Sequence, residues 1–355
     1  MSTDSTPFVP TIDISPYLDN PRSEDAIKVI NDVRKASISS GFFQIIGHKI
    51  PRTLQEEVFR AAKSFFALPF EEKMNLAASK FAGNRGYDVL ASQSYEEGVL
   101  PDLKEGYYIG KHVPESDPLH GRFFMGPNVW PPRSLLPESE FQHPCEQYYD
   151  AIQHLAIRVH ELVGETMALN NGDHKDIPAV MRDIIRLDST PACPLRLLHY
   201  PSAIRSGNNP TGKPQYGASA HTDFGTITLL LQDENPGLEV LEVTDGKNVW
   251  RPIDPNPEAY VVNIGDMVSM VTNGVYKSSM HRVVCKRPEN ERYSIVFFLD
   301  GCLDAVLEPV KLFDRDGDGG PDVYRTVEEH MKERIAMSYG TKMKDPRREG
   351  KTLGA

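Results

Sequence analysis

The chain is poor in cysteine. Its four thiols, Cys145, Cys193, Cys285 and Cys302, are scattered, with no CxxC pair and no dense framework. That spacing argues against a disulfide scaffold, a zinc site or a thiol redox centre, and it suits a reducing compartment, the cytosol. No apolar run reaches the roughly 18 residues that a membrane span needs. The opening residues, Met1 to Pro7, carry neither a basic nor an apolar stretch, so they do not read as a secretory signal. Positive charge is also in deficit: 39 basic against 50 acidic residues leave −11, and Lys and Arg form no long run. Nucleic acid and anionic membranes are therefore not expected partners, and no protein partner is implied. Internal repeats and low-complexity segments are missing too, which excludes solenoids and arrays.

What remains is a chain of 355 residues, 39% of them hydrophobic, enough to fill one large barrel with a helical annex or two to three average domains. The N-terminal part reads as a strand over 9–14, a one-faced helix over 25–37 with Ile27, Ile30 and Val33 at helical spacing, and a Gly-bounded strand over 41–47. A second helix over 53–68 is stopped by Pro69. Residues 82–137, rich in Gly, Pro and aromatics, read as an ordered, loop-rich cover. A long helix with one buried face is expected over 146–168.

After about residue 190 the pattern turns β-rich. Strands are expected over 195–200, 226–231, 238–243, 260–264, 268–271 and 293–299, with turn signals between them and a hairpin at Asn273-Gly274. The expected class is mainly β with flanking helices and an α/β N-terminal region, the strands closing into a sandwich or barrel. The blocks expected are 1–145, 146–189, 190–305, and 306–355 with a C-terminal helix over 323–337 and a loose polar tail.

Chemistry concentrates in three places. His221-Thr222-Asp223 opens a β-rich segment, and in a strand residues i and i+2 share a face, so His221 and Asp223 point together and Thr222 away. An imidazole beside a carboxylate is two thirds of a 2-His-1-carboxylate site, whose open face takes O2 and substrate. His281, far downstream, offers the third ligand. Taken alone, His-x-Asp is a weak signal and reads first as an exposed Asp beside a satisfied core His. Arg292 and Ser294 also share a strand face, in an otherwise apolar run. A guanidinium there is costly unless it meets an anion, and a fork plus a hydroxyl suits a carboxylate. Taken alone, the Arg is better explained by an internal salt bridge to one of the many Asp or Glu residues.

Together, the His-x-Asp pair, the distal His and the Arg-x-Ser pair, in this order, resemble the isopenicillin-N-synthase-like group of Fe(II)/2-oxoglutarate-dependent oxygenases. Residues 9–14 and 41–48 resemble that family's N-terminal domain. Residues 195–201 resemble the strand leading to its metal site, and 263–266 and 272–278 the stretch before its distal His. The resemblance implies a double-stranded β-helix (jelly-roll) core. It also implies Fe(II) on His221, Asp223 and His281, and 2-oxoglutarate with its far carboxylate on Arg292 and Ser294 and Tyr200 as a third contact. Hydroxylation, desaturation or cyclisation of a small organic substrate in specialised metabolism would follow, with release of succinate and CO2. Leu198 stands where plant members often have Asn, so any role of that Asn does not transfer. Phe298, on the face of Arg292 and Ser294, and Phe224, next to the ligand Asp, are substrate-facing candidates, as are Arg85 and Tyr107 in the cover. Each is equally a packing residue.

Three rivals stand beside this reading: an oxidase that needs no 2-oxoglutarate and uses Arg-x-Ser on its substrate's own carboxylate, a binding protein on the same scaffold, and a metal-free lectin-like jelly roll. Asp314 to Gly319 imitates an EF-hand loop, but its twelfth position is Arg325 rather than Glu, so it reads as a solvent turn.

Overall fold

Short apolar runs with capping signals set the N-terminal architecture. The structure, a computed structural model, describes residues 7–93, 98–170, 173–174, 177–186, 189–202, 212–244, 246–313 and 324–338; the EF-hand-like stretch and the polar tail lie outside these. Thr11–Asp13 (β1) pairs in parallel with Phe42–Ile46 (β2), and Ser15–Asp19 (α1) and Glu24–Ser39 (α2) lie between them in the chain. The Ser23 hydroxyl caps α2 by accepting the Ala26 amide at 3.1 Å, while Glu24 and Asp25 complement its positive end. Arg52–Phe66 (α3) stops before Pro69, as expected. Yet a new helix, Phe70–Asn75 (α4), starts directly on that proline, whose fixed φ also suits a helix entry.

The expected cover is not all loop. It contributes Gly86–Asp88 (β3) and Glu105–Ile109 (β4), and every residue of both strands is buried. Burial on both faces removes the polar alternation by which a strand is recognised. Gln142–Ala168 (α5) runs four residues further back than expected, with Ile152, Leu155, Val159 and Leu162 inward. A two-residue ladder, Leu169–Asn170 (β5) with Asp173–His174 (β6), and the short helix Ala179–Ile184 (α6) lead to the β core.

That core consists of Leu195–Tyr200 (β7), Ala218–His221 (β8), Ile227–Gln232 (β9), Leu238–Thr244 (β10), Lys247–Pro252 (β11), Tyr260–Ile264 (β12), His281–Val283 (β13) and Arg292–Leu299 (β14). The larger sheet has the order β1-β2-β12-β9-β14-β7-β4-β3 and the smaller β11-β10-β13-β8. The N-terminal strands thus share a sheet with the β core. On β14, Tyr293, Ile295, Phe297 and Leu299 pack into the core formed with the helices, while Val296 and Phe298 turn toward the smaller sheet. Leu198, Tyr200 and Val261 from one sheet meet Ala218, Leu238, Val240 and Val283 from the other, so the two layers face each other as in a jelly roll.

Two expectations fail here. The strand expected over 268–271 is a helix, Asp266–Val271 (α7), burying Met267, Val268 and Val271. An apolar run this short has the same signature as strand or buried helical turn. Asn273 and Gly274, with φ of 49° and 75°, accordingly follow the end of α7 rather than joining two strands. The final helix is Val327–Ser338 (α8).

Candidate metal centre and adjoining cavity

Cross-strand pairing, more than local alternation, assembles the ligand set. His221 ends β8 and His281 opens β13, and the two are direct partners in the ladder, with ring centroids 4.3 Å apart. Asp223 lies two residues beyond β8, in the turn. Its Oδ1 is 3.8 Å from His221 Nε2 and 3.7 Å from His281 Nε2. One ligand atom from each residue lies within 4.8 Å of the other two, the single such group among the described residues.

Each ligand is oriented from behind. The Nδ1 of His221 is 2.7 Å from the Ser219 carbonyl, and that of His281 is 3.2 Å from the Ser279 carbonyl. A carbonyl only accepts, so each Nδ1 carries the proton and each Nε2 turns a lone pair to the centre. The Asp223 Oδ2 accepts from Thr228 Oγ1 at 2.5 Å and Asn263 Nδ2 at 2.8 Å, which leaves Oδ1 for the centre. Burial, then the neighbouring His281, lowers the His221 pKa to about 3. Burial alone would raise the Asp223 carboxyl, but His281, His221 and its two hydrogen bonds outweigh that and hold it below the usual range. Neutral imidazole with ionised carboxylate is the state that binds a divalent cation. Chemistry and orientation of the donor set both fit Fe(II).

Arg292 starts β14 opposite Tyr200, its guanidinium carbon 4.8 Å from the Tyr200 ring centre. Its Nε donates to the Asn235 carbonyl at 3.2 Å and its Nη2 to Gln232 Oε1 at 3.0 Å, while Nη1 has no partner. The Ser294 hydroxyl, fully buried, has none either. No acidic residue forms an ion pair with Arg292 among the described residues, so the internal salt bridge is not there. Two unpartnered donors on one strand face are what a carboxylate would satisfy.

A cavity of about 120 Å³, open to solvent on one side, joins the candidate ligands to the space between the sheets. Phe298 and Phe224 line it, as do Tyr200 and Leu198, the cross-strand partners of Arg292 and Ser294. Arg85 and Tyr107 do not. Arg85 is buried elsewhere, donating to the Phe124 carbonyl at 2.6 Å. Tyr107 packs against Phe65 and Phe141 on the helix side of β4 and donates to the Val129 carbonyl. Its neighbour Tyr108 faces the cavity instead, because a shift of one position changes faces.

Several lining residues escaped sequence reasoning. Arg196 on β7 pairs with Asp88, and Lys104 pairs with Asp102 at 2.7 Å. A charged residue inside an apolar strand, the signal that singled out Arg292, was equally present at Arg196. Met331 and Ile335 of α8 close one side of the cavity. This helix also grips the ligand turn: His330 Nε2 donates to the Phe224 carbonyl at 3.1 Å, Arg334 donates to Thr222 Oγ1 at 2.9 Å, and Arg334 pairs with Asp266 at 3.0 Å.

Fold and donor set together describe a candidate metal centre on a jelly-roll scaffold. A model of the N-terminal region of non-haem dioxygenases in morphine synthesis matches residues 9–133, and the model of the 2OG-Fe(II) oxygenase superfamily matches residues 191–301. The chain is 49% identical over 350 residues to the 2-oxoglutarate-dependent dioxygenase citB of Monascus ruber, covering 97% of this chain and 99% of that protein. It is 43% identical over 343 residues to the clavatol oxidase claD of Penicillium crustosum, covering 94% and 97%. A full-length Neurospora crassa protein, solved in complex with alpha-KG, superposes with a TM-score of 0.74 at 25% identity, over 95% of this chain and 98% of that one. The chain therefore belongs to the 2-oxoglutarate–Fe(II) oxygenases. It is an oxidoreductase of the dioxygenase type, with Fe(II), 2-oxoglutarate and O2 as its cofactor and cosubstrates.

Proposed function

We propose that His221, Asp223 and His281 hold the Fe(II), that Arg292 and Ser294 take the far carboxylate of 2-oxoglutarate beside Tyr200, and that a small organic molecule of specialised metabolism occupies the cavity against Phe298 and Phe224. The observation that carries this is an inward-facing His-Asp-His set together with two unpartnered donors, Arg292 Nη1 and Ser294 Oγ, on the strand whose Val296 and Phe298 line the cavity, opposite Tyr200 and Leu198 of the same lining. The names of the relatives favour a 2-oxoglutarate-dependent enzyme over the oxidase that dispenses with it. The four unpaired thiols suit the cytosol.

When bound, Fe(II) with 2-oxoglutarate supplies O2 activation, in which oxidative decarboxylation to succinate and CO2 is coupled to oxidation of the prime substrate. The protein's part is positional. The Ser219 and Ser279 carbonyls aim both imidazoles, and Thr228 and Asn263 hold the Asp223 carboxylate in a single orientation. Phe42 packs edge-on against His281 at 5.3 Å, and Leu198, Val296 and Phe298 keep the walls dry. The α8 helix pins the turn bearing Asp223 and covers the cavity with Met331 and Ile335.

Counting succinate against oxidised product tests the reading. The expected ratio is one succinate per product, with none formed by His221→Ala. Product formation without succinate would return the oxidase reading.

A further inference from the structure

The even-numbered face of β14 runs from Arg292 into the cavity. It presents Arg292, Ser294, Val296 and Phe298 in turn, and the next position in that series, one residue past the strand, is Asp300. At about 3.3 Å per residue, Asp300 lies roughly 26 Å along the backbone from Arg292. The end bearing Arg292 is matched to one carboxylate ligand, so a carboxyl at the opposite end has a different task.

Asp300 is 2% exposed and lines the cavity. Its backbone amide donates to Ala192, but none of the described residues donates a hydrogen bond to its carboxyl, and none forms an ion pair with it. Gly225 packs against it so closely that a Cβ there would stand 2.2 Å from Oδ1. That backbone contact fixes the side chain without satisfying it. Burial, then the nearby Asp223, pushes its pKa up to about 8. An enclosed carboxyl with no donor and no cation costs stability, and such groups persist where a ligand uses them.

The surroundings describe that ligand. Phe124, Phe224 and Phe298 give flat aromatic walls, and Met331 and Ile335 close the cavity over them. Lys104 and Arg196 of the same lining are held by Asp102 and Asp88, so neither serves Asp300, and its carboxyl is left to a donor of the ligand, of which an O–H on an aromatic ring suits these walls.

We propose that Asp300 accepts a hydrogen bond from a hydroxyl of the prime substrate, and that this substrate is a hydroxylated aromatic molecule. The inference rests on the reading that the cavity holds the prime substrate beside Fe(II). Asp300, against Gly225 and near Asp223, fixes how the ring is turned at the centre and so selects the position that is oxidised.

The test is equilibrium binding, measured by anaerobic calorimetry on the Fe(II)- and 2-oxoglutarate-loaded enzyme with two matched pairs: p-cresol against 4-methylanisole, and orcinol against 3,5-dimethoxytoluene. Wild type is expected to bind each phenol about tenfold more tightly than its ether, the usual effect of one hydrogen bond to a buried polar group. Asp300→Leu is expected to bind both members of a pair alike, and Asp300→Asn, which keeps an acceptor, to retain part of the preference. Neither variant should melt below wild type or bind Fe(II) or 2-oxoglutarate less well. Equal binding of phenol and ether to wild type, no binding of either phenol, or an undiminished preference in Asp300→Leu overturns the proposal. Loss of iron or cosubstrate in Asp300→Leu overturns it too, by making Asp300 structural. A phenol preference in an enzyme that shows no 2-oxoglutarate requirement would instead refute the cosubstrate reading alone.

Discussion

Replacing Ser294 with alanine removes a single oxygen from a fully enclosed position on β14. In the absence of ligand that hydroxyl has no hydrogen-bond partner, and a desolvated, unpartnered polar group costs about 1–3 kcal/mol. Its removal should therefore leave the 2-oxoglutarate-free protein as stable as before or more so. A gain of about 1 kcal/mol would raise the Tm of a large domain by about 2 °C. The effect on cosubstrate has the opposite sign. A hydrogen bond to a carboxylate contributes about 1.5–3 kcal/mol, so the Kd for 2-oxoglutarate should rise by about 10- to 150-fold. The assay is anaerobic titration of 2-oxoglutarate into the Fe(II) enzyme, followed by visible absorption, beside a melt of the ligand-free protein. Unchanged 2-oxoglutarate affinity, or a clear fall in Tm without ligand, would refute the reasoning by showing that the hydroxyl serves the fold.

Arg292→Leu removes the charged fork, and the 2-oxoglutarate concentration needed for half-maximal succinate formation should rise more than about 100-fold while Fe(II) still binds; parallel loss of iron would mark a structural role. Asn263→Ala releases Asp223 Oδ2 and should weaken Fe(II) binding by about 10- to 100-fold in a metal titration, as for other groups that orient ligands from behind. The pH response follows from the two lowered pKa values. In the unfolded chain His221 takes up a proton as the pH falls through about 6.5, whereas in the fold it stays neutral to about 3, so the metal-free protein loses stability on acidification across that window. Asp223, lowered as well, adds stability above its ordinary carboxylate range that is lost only below it. Denaturant melts of the metal-free protein between pH 7 and 4.5 should thus show a slope that His221→Gln reduces by up to about 1.4 kcal/mol per pH unit; an unchanged slope would contradict the assignment. Arg334→Ala removes the donor to Thr222, the pair with Asp266 and the cation over Phe224, and should lower both Tm and prime-substrate affinity with little change in cosubstrate affinity.

Much of this arrangement was legible in the chain because strand periodicity and charge in apolar runs are strong signals. Tyr260–Ile264 and Leu195–Tyr200 coincide with the expected strands, and Arg292 stood out as a guanidinium with no apolar reason to be there. The misses have specific causes. Asp223 shares a centre with His221 through a turn beyond β8, not through strand alternation, and the ladder pair His221 with His281 is a long-range fact that no local window contains. The α7 segment carried strand-like residues in a helical turn. Tyr107 was one register position from Tyr108, and Glu105–Ile109 had no polar alternation to reveal it as a strand. Asp300 was within reach, since it continues the even-numbered series from Arg292, but it falls just past the apolar run on which attention rested.

The most direct measurement is an anaerobic Fe(II) titration of the metal-free protein and of His221→Ala, Asp223→Ala and His281→Ala, each followed by addition of 2-oxoglutarate. Wild type should bind one Fe(II) per chain and develop the visible absorption of the iron–2-oxoglutarate chelate. Each variant should lose the high-affinity iron and that absorption while remaining folded. Retention of stoichiometric, tight Fe(II) binding by all three variants would show that the iron is held elsewhere and contradict the account at its centre.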